Sequence, residues 1–217
     1  MSRPPLSVAD LRQLLAARFP EKMGKPGGVV PTGVRAVDEA LGGGLPAGRL
    51  TELVAAVPGS GGQSVLRRLL LSTRAARQRI ALVDAADAFA PETVPPDALQ
   101  HLVWVRCAGL DQTLAVADLL VRDGNYAAVI VDLCGCAERA LRRTPATVWH
   151  RLHRAAQAGG AVLVKTPHPL VPAVTWRLVL ATGHPLAARR LTPDAIADNL
   201  TVEIERGHAG VALERAG

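Results

Sequence analysis

Five short apolar runs recur along the chain, at residues 50–56, 80–84, 102–106, 127–132 and 161–166. Helical periodicity fills three of the gaps, at 63–78, 111–121 and 147–158. A strand with one wet face alternates polar and apolar residues, whereas a strand covered on both faces does not. Continuous apolar strands separated by helices therefore predict a parallel sheet between two helical layers. Past residue 175 the rhythm changes. Residues 176–181, 200–205 and 211–214 read as strands with no long helix between them, which predicts an antiparallel C-terminal extension. The expected fold class is α/β: a mainly parallel sheet flanked by helices, with that extension at one end.

Of the 217 residues, 49% are hydrophobic and 20% charged, enough apolar material for one substantial core. The expected division is an N-terminal helix and tether at 1–30, then a core domain at 31–217. Ser7 is a good N-cap with Asp10 three residues on, and Val8, Leu11, Leu14, Leu15 and Phe19 share one face until Pro20 stops the helix. Residues 21–31, with Gly24, Pro26, Gly27 and Gly28, read as a flexible tether. A tethered amphipathic helix must bury its apolar stripe, either on its own core or on another subunit. Those five apolar residues are accordingly candidates for partner docking.

Several function classes drop out early. The longest stretch without Asp, Glu, Lys or Arg is 53–66, which is short and glycine-rich, so no bilayer span and no membrane partner are expected. The first ten residues lack the apolar core of a secretion signal, and three cysteines are too few to staple a secreted domain. A cytoplasmic protein is predicted. A formal net charge of +6 and a pI near 10.0 invite a nucleic-acid partner. Only three of the 25 basic residues are lysines, however, which marks a compositional habit, and aromatic side chains for base stacking are sparse. DNA binding is expected to be weak or absent.

Chemistry in such a sheet belongs at the carboxyl ends of the strands, above all in a glycine-rich turn between the first strand and its helix. Gly59, Ser60, Gly61, Gly62, Gln63 and Ser64 occupy that turn. A working phosphate loop needs G-x-x-x-x-G-K-[ST], with the lysine on the β/γ-phosphates and the hydroxyl on Mg²⁺. Aligned on Gly62, the chain has Val57 at the first glycine and Gln63 at the lysine, and keeps only Ser64. A neutral amide cannot offset the charge that develops on a transferred phosphoryl group. The run Val129-Ile130-Val131-Asp132 has the form of a Mg²⁺-supporting strand, although Asp132 fits a helix cap equally well. Gly59, Gly61, Gly62, Gln63, Ser64 and Asp132 are thus read as a vestigial nucleotide site, with no catalytic residue and no bound cofactor expected.

Residues 31–53 read P-T-G-V-R-A-V-D-E-A-L-G-G-G-L-P-A-G-R-L-T-E-L. This segment resembles the one that leads into the ATPase core of RecA recombinases, and the resemblance implies a RecA-like core across roughly residues 30 to 215. Gly62-Gln63-Ser64 stands where recombinases carry G-K-T, and Asp84-Ala85-Ala86-Asp87 places Ala86 at their catalytic glutamate. Little chain is left for the two long DNA-binding loops of recombinases. A short, basic relative of this kind resembles the ImuA family, accessory proteins of SOS-induced mutagenesis with a degenerate loop. That resemblance implies a non-catalytic adaptor in DNA damage and translesion synthesis. Its implied partners are ImuB, an inactive Y-family polymerase relative, and RecA itself. The alternatives are a SulA-type division inhibitor and a weak ATPase with an atypical loop.

Other constellations point less clearly. Cys134-Gly135-Cys136 has no zinc-like spacing with Cys107, and no metal site is expected. His150 and His153 lie three apart on a predicted helix beside Arg151 and Arg154, and read as a basic face. Lys165, the sole lysine of the core domain, sits at a strand end. It either replaces the missing loop cation or is a surface lysine. Arginines cluster at 67, 68, 74, 77 and 79, at 139, 142 and 143, and at 189 and 190, as solvated faces or as patches for an acidic partner.

Overall fold

The computed structural model describes residues 28–57, 59–172, 174–180 and 190–207. Two very short strands, β1 (Val29–Val30) and β2 (Leu45–Pro46), pair antiparallel on either side of helix α1 (Arg35–Ala40). One carboxylate clamps this segment. Asp38 accepts the Thr32 amide (2.8 Å) and hydroxyl (2.7 Å) on one oxygen and the Gly33 amide (3.0 Å) on the other. The T-G-x-x-x-x-D spacing is therefore a closed hydrogen-bonded turn that sets the angle at which α1 begins. Gly44, at φ +144°, passes so close to β1 that a Cβ would lie 2.5 Å from the Val30 carbonyl oxygen.

The main body follows as β3 (Leu50–Val54), α2 (Gly62–Ala75), β4 (Ile80–Asp84), α3 (Pro96–Leu99), β5 (Leu102–Arg106) and α4 (Leu110–Asp123). It continues with β6 (Ala128–Asp132), α5 (Glu138–Arg142), α6 (Ala146–Ala156), β7 (Ala161–Thr166), β8 (Trp176–Leu180), α7 (Pro193–Asp198) and β9 (Val202–Gly207). Seven strands form one sheet in the order β5-β4-β6-β7-β3-β8-β9. All neighbours are parallel except β8 and β9. The α/β class and its mainly parallel sheet are thus as the apolar runs predict.

The C-terminal extension differs in one respect. Residues 176–180 do not start an antiparallel arm; β8 runs parallel to β3, and β9 alone reverses. Glu52 braces this geometry. Fully buried in β3, it accepts the Thr166 hydroxyl (3.1 Å), the Leu170 and Val171 amides (2.7 and 3.1 Å) and the Arg177 guanidinium (2.6 Å). These bonds hold the link leaving β7, and the start of β8, against the middle of β3. The expected strand at 211–214 and the N-terminal stripe of Val8, Leu11, Leu14, Leu15 and Phe19 lie outside the described residues.

Alternation along the strands divides the core in two. Leu53, Ile80, Leu82, Ile130, Leu163 and Leu178 pack with Leu66, Leu69 and Leu70 of α2 on one face. Leu50, Val83, Val129, Val131, Val162 and Val164 pack with Leu114 and Ala117 of α4 and Trp149 and Leu152 of α6 on the other. Each such leucine, fully removed from water, contributes about 2 kcal/mol. Both faces being dry is why these strands carry no polar alternation. Among the described residues no helix is long and apolar enough to cross a membrane.

Candidate functional site

The loop after β3 emerges at the carboxyl edge of the sheet, the place where open α/β sheets collect ligands. Gly59 and Gly61 both adopt left-handed backbone conformations (φ +82° and +98°), and Gly61 is the N-cap of α2. Ser60 is buried, its amide donating to the Val57 carbonyl (3.1 Å). Gly62 is buried at the first position of α2, Gln63 is exposed, and Ser64 is half-buried one position on. The Gln63 amide does not point into an open cradle. Its Nε2 donates to the Ala88 carbonyl (3.0 Å), tying the loop to the turn after β4.

Parallel register sets Asp84 of β4, Asp132 of β6, Lys165 of β7 and Leu53 of β3 in one row along this edge. Asp84 is fully buried and accepts three main-chain amides, from Ala86 (3.2 Å), Ala88 (3.0 Å) and Phe89 (3.0 Å). It shapes the turn that Gln63 grips, as a strand-end polar residue would. Ala86, at the recombinase glutamate position, is exposed in that turn. Asp87 is also exposed, at φ +53°, 3.7 Å from Arg106.

Asp132 and Lys165 form the centre of the row. Lys165 Nζ donates to Asp132 Oδ2 at 2.7 Å, while Oδ1 accepts the Cys134 amide at 3.0 Å. The lysine side chain is 5% exposed and the aspartate 0%. A surface lysine is thus excluded. The Lys165 stem runs beneath the loop: a Cβ on Gly62 would stand 2.6 Å from its Cε. Burial pushes the Cys134 thiol up to about 12, the Asp132 charge adding to the shift and the Lys165 charge opposing it. The neighbouring Cys136 thiol is raised too, again mainly by burial. No cluster of three or more His, Cys, Asp or Glu side chains able to hold a metal occurs among the described residues.

A second cover comes from α7, which sequence reading missed. Thr192 caps it by accepting the Ala195 amide (3.2 Å), and Pro193 follows at the first position, both ordinary helix-start signals on a helix of six residues. Arg67 and Arg68 of α2 hold it through Asp194 and Asp198, each at 2.5 Å. Beyond α7, a methyl of Leu200 packs directly against Gly61.

Set against a magnesium–triphosphate, these side chains fit poorly. Position 63 offers an amide already bonded to main chain. The one ammonium beside the loop among the described residues is bonded to the carboxylate that a magnesium shell would need.

A mainly parallel seven-stranded sheet with this loop at its carboxyl edge is an α/β fold of the kind a RecA-like core has. Comparison with known proteins agrees. The chain is 34% identical over 119 residues to the RecA protein of Streptomyces avermitilis, covering 53% of this chain and 31% of that one. It is 37% identical over 121 residues to RecA of Nocardia farcinica (53% and 34%), and 36% over 121 residues to RecA of Mycobacterium avium (53% and 33%). The chain spans about a third of the length of the curated relatives it matches. No protein-family model matches it.

Proposed function

We propose that the chain is an ImuA-like, non-catalytic adaptor on a RecA-like scaffold. It acts in SOS-induced, error-prone translesion synthesis and docks on an ImuB-like inactive polymerase and on RecA. Distant likeness to RecA supports the DNA-damage setting. The observation that carries the non-catalytic part is the buried Asp132–Lys165 pair under Gly62. A scaffold that no longer turns over triphosphate retains its shape for protein contacts, and the apolar stripe of Val8, Leu11, Leu14, Leu15 and Phe19 is the docking element.

Incubating the full chain with Mg·ATP should leave its melting temperature unchanged and release phosphate at the background rate. A ligand-induced rise in melting temperature, with turnover abolished in Lys165→Ala, would overturn the adaptor assignment. It would favour a slow ATPase, the reading that the position of Lys165 beneath the loop otherwise supports. For the partners, removal of residues 1–28 should abolish co-precipitation with RecA. Undiminished capture by the shortened chain would remove the docking role from that helix.

A further inference from the structure

Nine of the sixteen arginines whose side chains are described form ion pairs within the fold. Arg67 and Arg68 hold α7, Arg74 forms a two-pronged pair with Asp97 (2.9 and 2.7 Å), Arg142 bonds Glu138, and Arg177 bonds Glu52. The other seven have no carboxylate within ion-pair distance among the described residues, and three of these, Arg49, Arg77 and Arg79, share one place in the fold. All three lie at the amino edge of the sheet, opposite the loop. Arg74, Arg77, Arg79, Asp97 and His101 line a cleft of about 390 Å³ there.

Helix α2 closes with the Ala76 and Arg77 amides bonded to the Ser72 and Arg74 carbonyls and the Gln78 amide bonded to Thr73, so its terminal carbonyls already have donors. Complementing the helix dipole accounts for Arg74, which lies in the last turn, but not for Arg77 and Arg79 beyond it. Arg77 sits at φ +55°, a conformation that glycine adopts more easily. Arg79 immediately precedes β4 and Arg49 immediately precedes β3. Register carries Ile80 through Ala128 to Ala161, the level of Arg49, so the two arginines stand at nearly one height three strand spacings apart. Their main chains are therefore about 14 Å apart, within the span of a few nucleotides of a single strand. Arg49 also lies near enough to His153 that its charge, added to burial, holds that imidazole below its ordinary pKa. The carboxylates on this side are Asp97, bonded to Arg74, and Asp123, which bonds Asn125 and acts on Tyr126.

We propose that the amino edge of the sheet, from the Arg74–Arg77–Arg79–His101 cleft across to Arg49, binds the phosphodiester backbone of a nucleic-acid strand. Guanidinium forks suit phosphate oxygens, and a lining dominated by arginines, with no Trp, Tyr or Phe, makes the contact one to the backbone and independent of sequence. The inference does not depend on the adaptor function, since it uses the opposite edge of the sheet.

Fluorescence anisotropy of a labelled oligothymidylate with the full chain tests it across a sodium chloride series. Three phosphate contacts predict a log–log slope of about −2 for a single strand. Arg77→Gln with Arg79→Gln should weaken binding at low salt at least tenfold and bring the slope to about −0.7, and Arg49→Gln should remove the remainder. Arg142→Gln, at a paired site on α5, should bind like the parent, and circular dichroism should show each variant folded. Equal affinity and slope in the triple variant would overturn the proposal, as would no binding by the parent chain. Tighter binding of poly-glutamate than of the oligonucleotide through the same three arginines would overturn it too, in favour of an acidic protein partner.

Discussion

The two edges of the sheet handle charge in opposite ways. At the carboxyl edge Asp84, Asp132 and Lys165 are withdrawn from water, and each meets hydrogen-bond partners built into the fold. At the amino edge Arg49 and Arg77 are exposed, Arg79 is half-buried, and none has a described acidic partner. Buried charge is tolerated only when compensated, and removing one partner costs far more than the pair contributes. Exposed charge costs almost nothing and is available to outside ligands. Charge at the carboxyl edge is thus tied into the fold, whereas Arg49, Arg77 and Arg79 at the opposite edge have no ion-pair partner among the described residues.

The sharpest way to break this contrast is Lys165→Met. With Asp132 left charged and unpaired in the interior, urea unfolding should show a loss of about 3–5 kcal/mol. Replacing both partners, as Lys165→Met with Asp132→Leu, should recover most of it. A loss below about 1 kcal/mol in the single variant would mean that the carboxyl edge is not closed. Glu52→Gln comes next, at about 2–3 kcal/mol, because Arg177 and two amides lose a charged acceptor while the side-chain shape is kept.

Asp194→Asn tests the cover over the loop, and about 0.5 kcal/mol or less is expected for so exposed a carboxylate. Its hydrogen bond from Arg67 holds the folded pKa below the ordinary aspartate value. The contribution is therefore present above that ordinary value and lost as pH falls through the folded one. Parent and variant stabilities should accordingly converge in acid. Smallest of all, Arg49→Gln or Arg77→Gln should move unfolding by no more than about 0.5 kcal/mol. A larger loss would mean that these arginines have structural work after all.

Where burial alone decides structure, the residues made the fold legible. Ile80–Asp84, Leu102–Arg106 and Ala161–Thr166 are strands with the expected bounds, because unbroken apolar runs leave few alternatives. The parallel course of β8 was not legible, since it rests on pairing with β3 and on contacts such as those of Glu52 with residues more than a hundred positions away. Lys165 was half legible. Its place at a strand end beside the loop follows from the run 161–166, but its partner depends on β6 lying next to β7, and strand order is not written in local pattern. Helix α7 carried readable start signals in Thr192 and Pro193, yet six residues give too little periodicity to set against a loop. The glycine-rich turn and Asp132 fell where expected, and what they bond to emerged only from the packing.

The lysine lodged beneath Gly62 also acts as a ratchet on how the sequence can change. Deleting Lys165 first would strand a carboxylate in the dry interior. Replacing Asp132 first would leave a buried ammonium unpaired instead, so either order passes through a destabilised intermediate and the two positions can change only together.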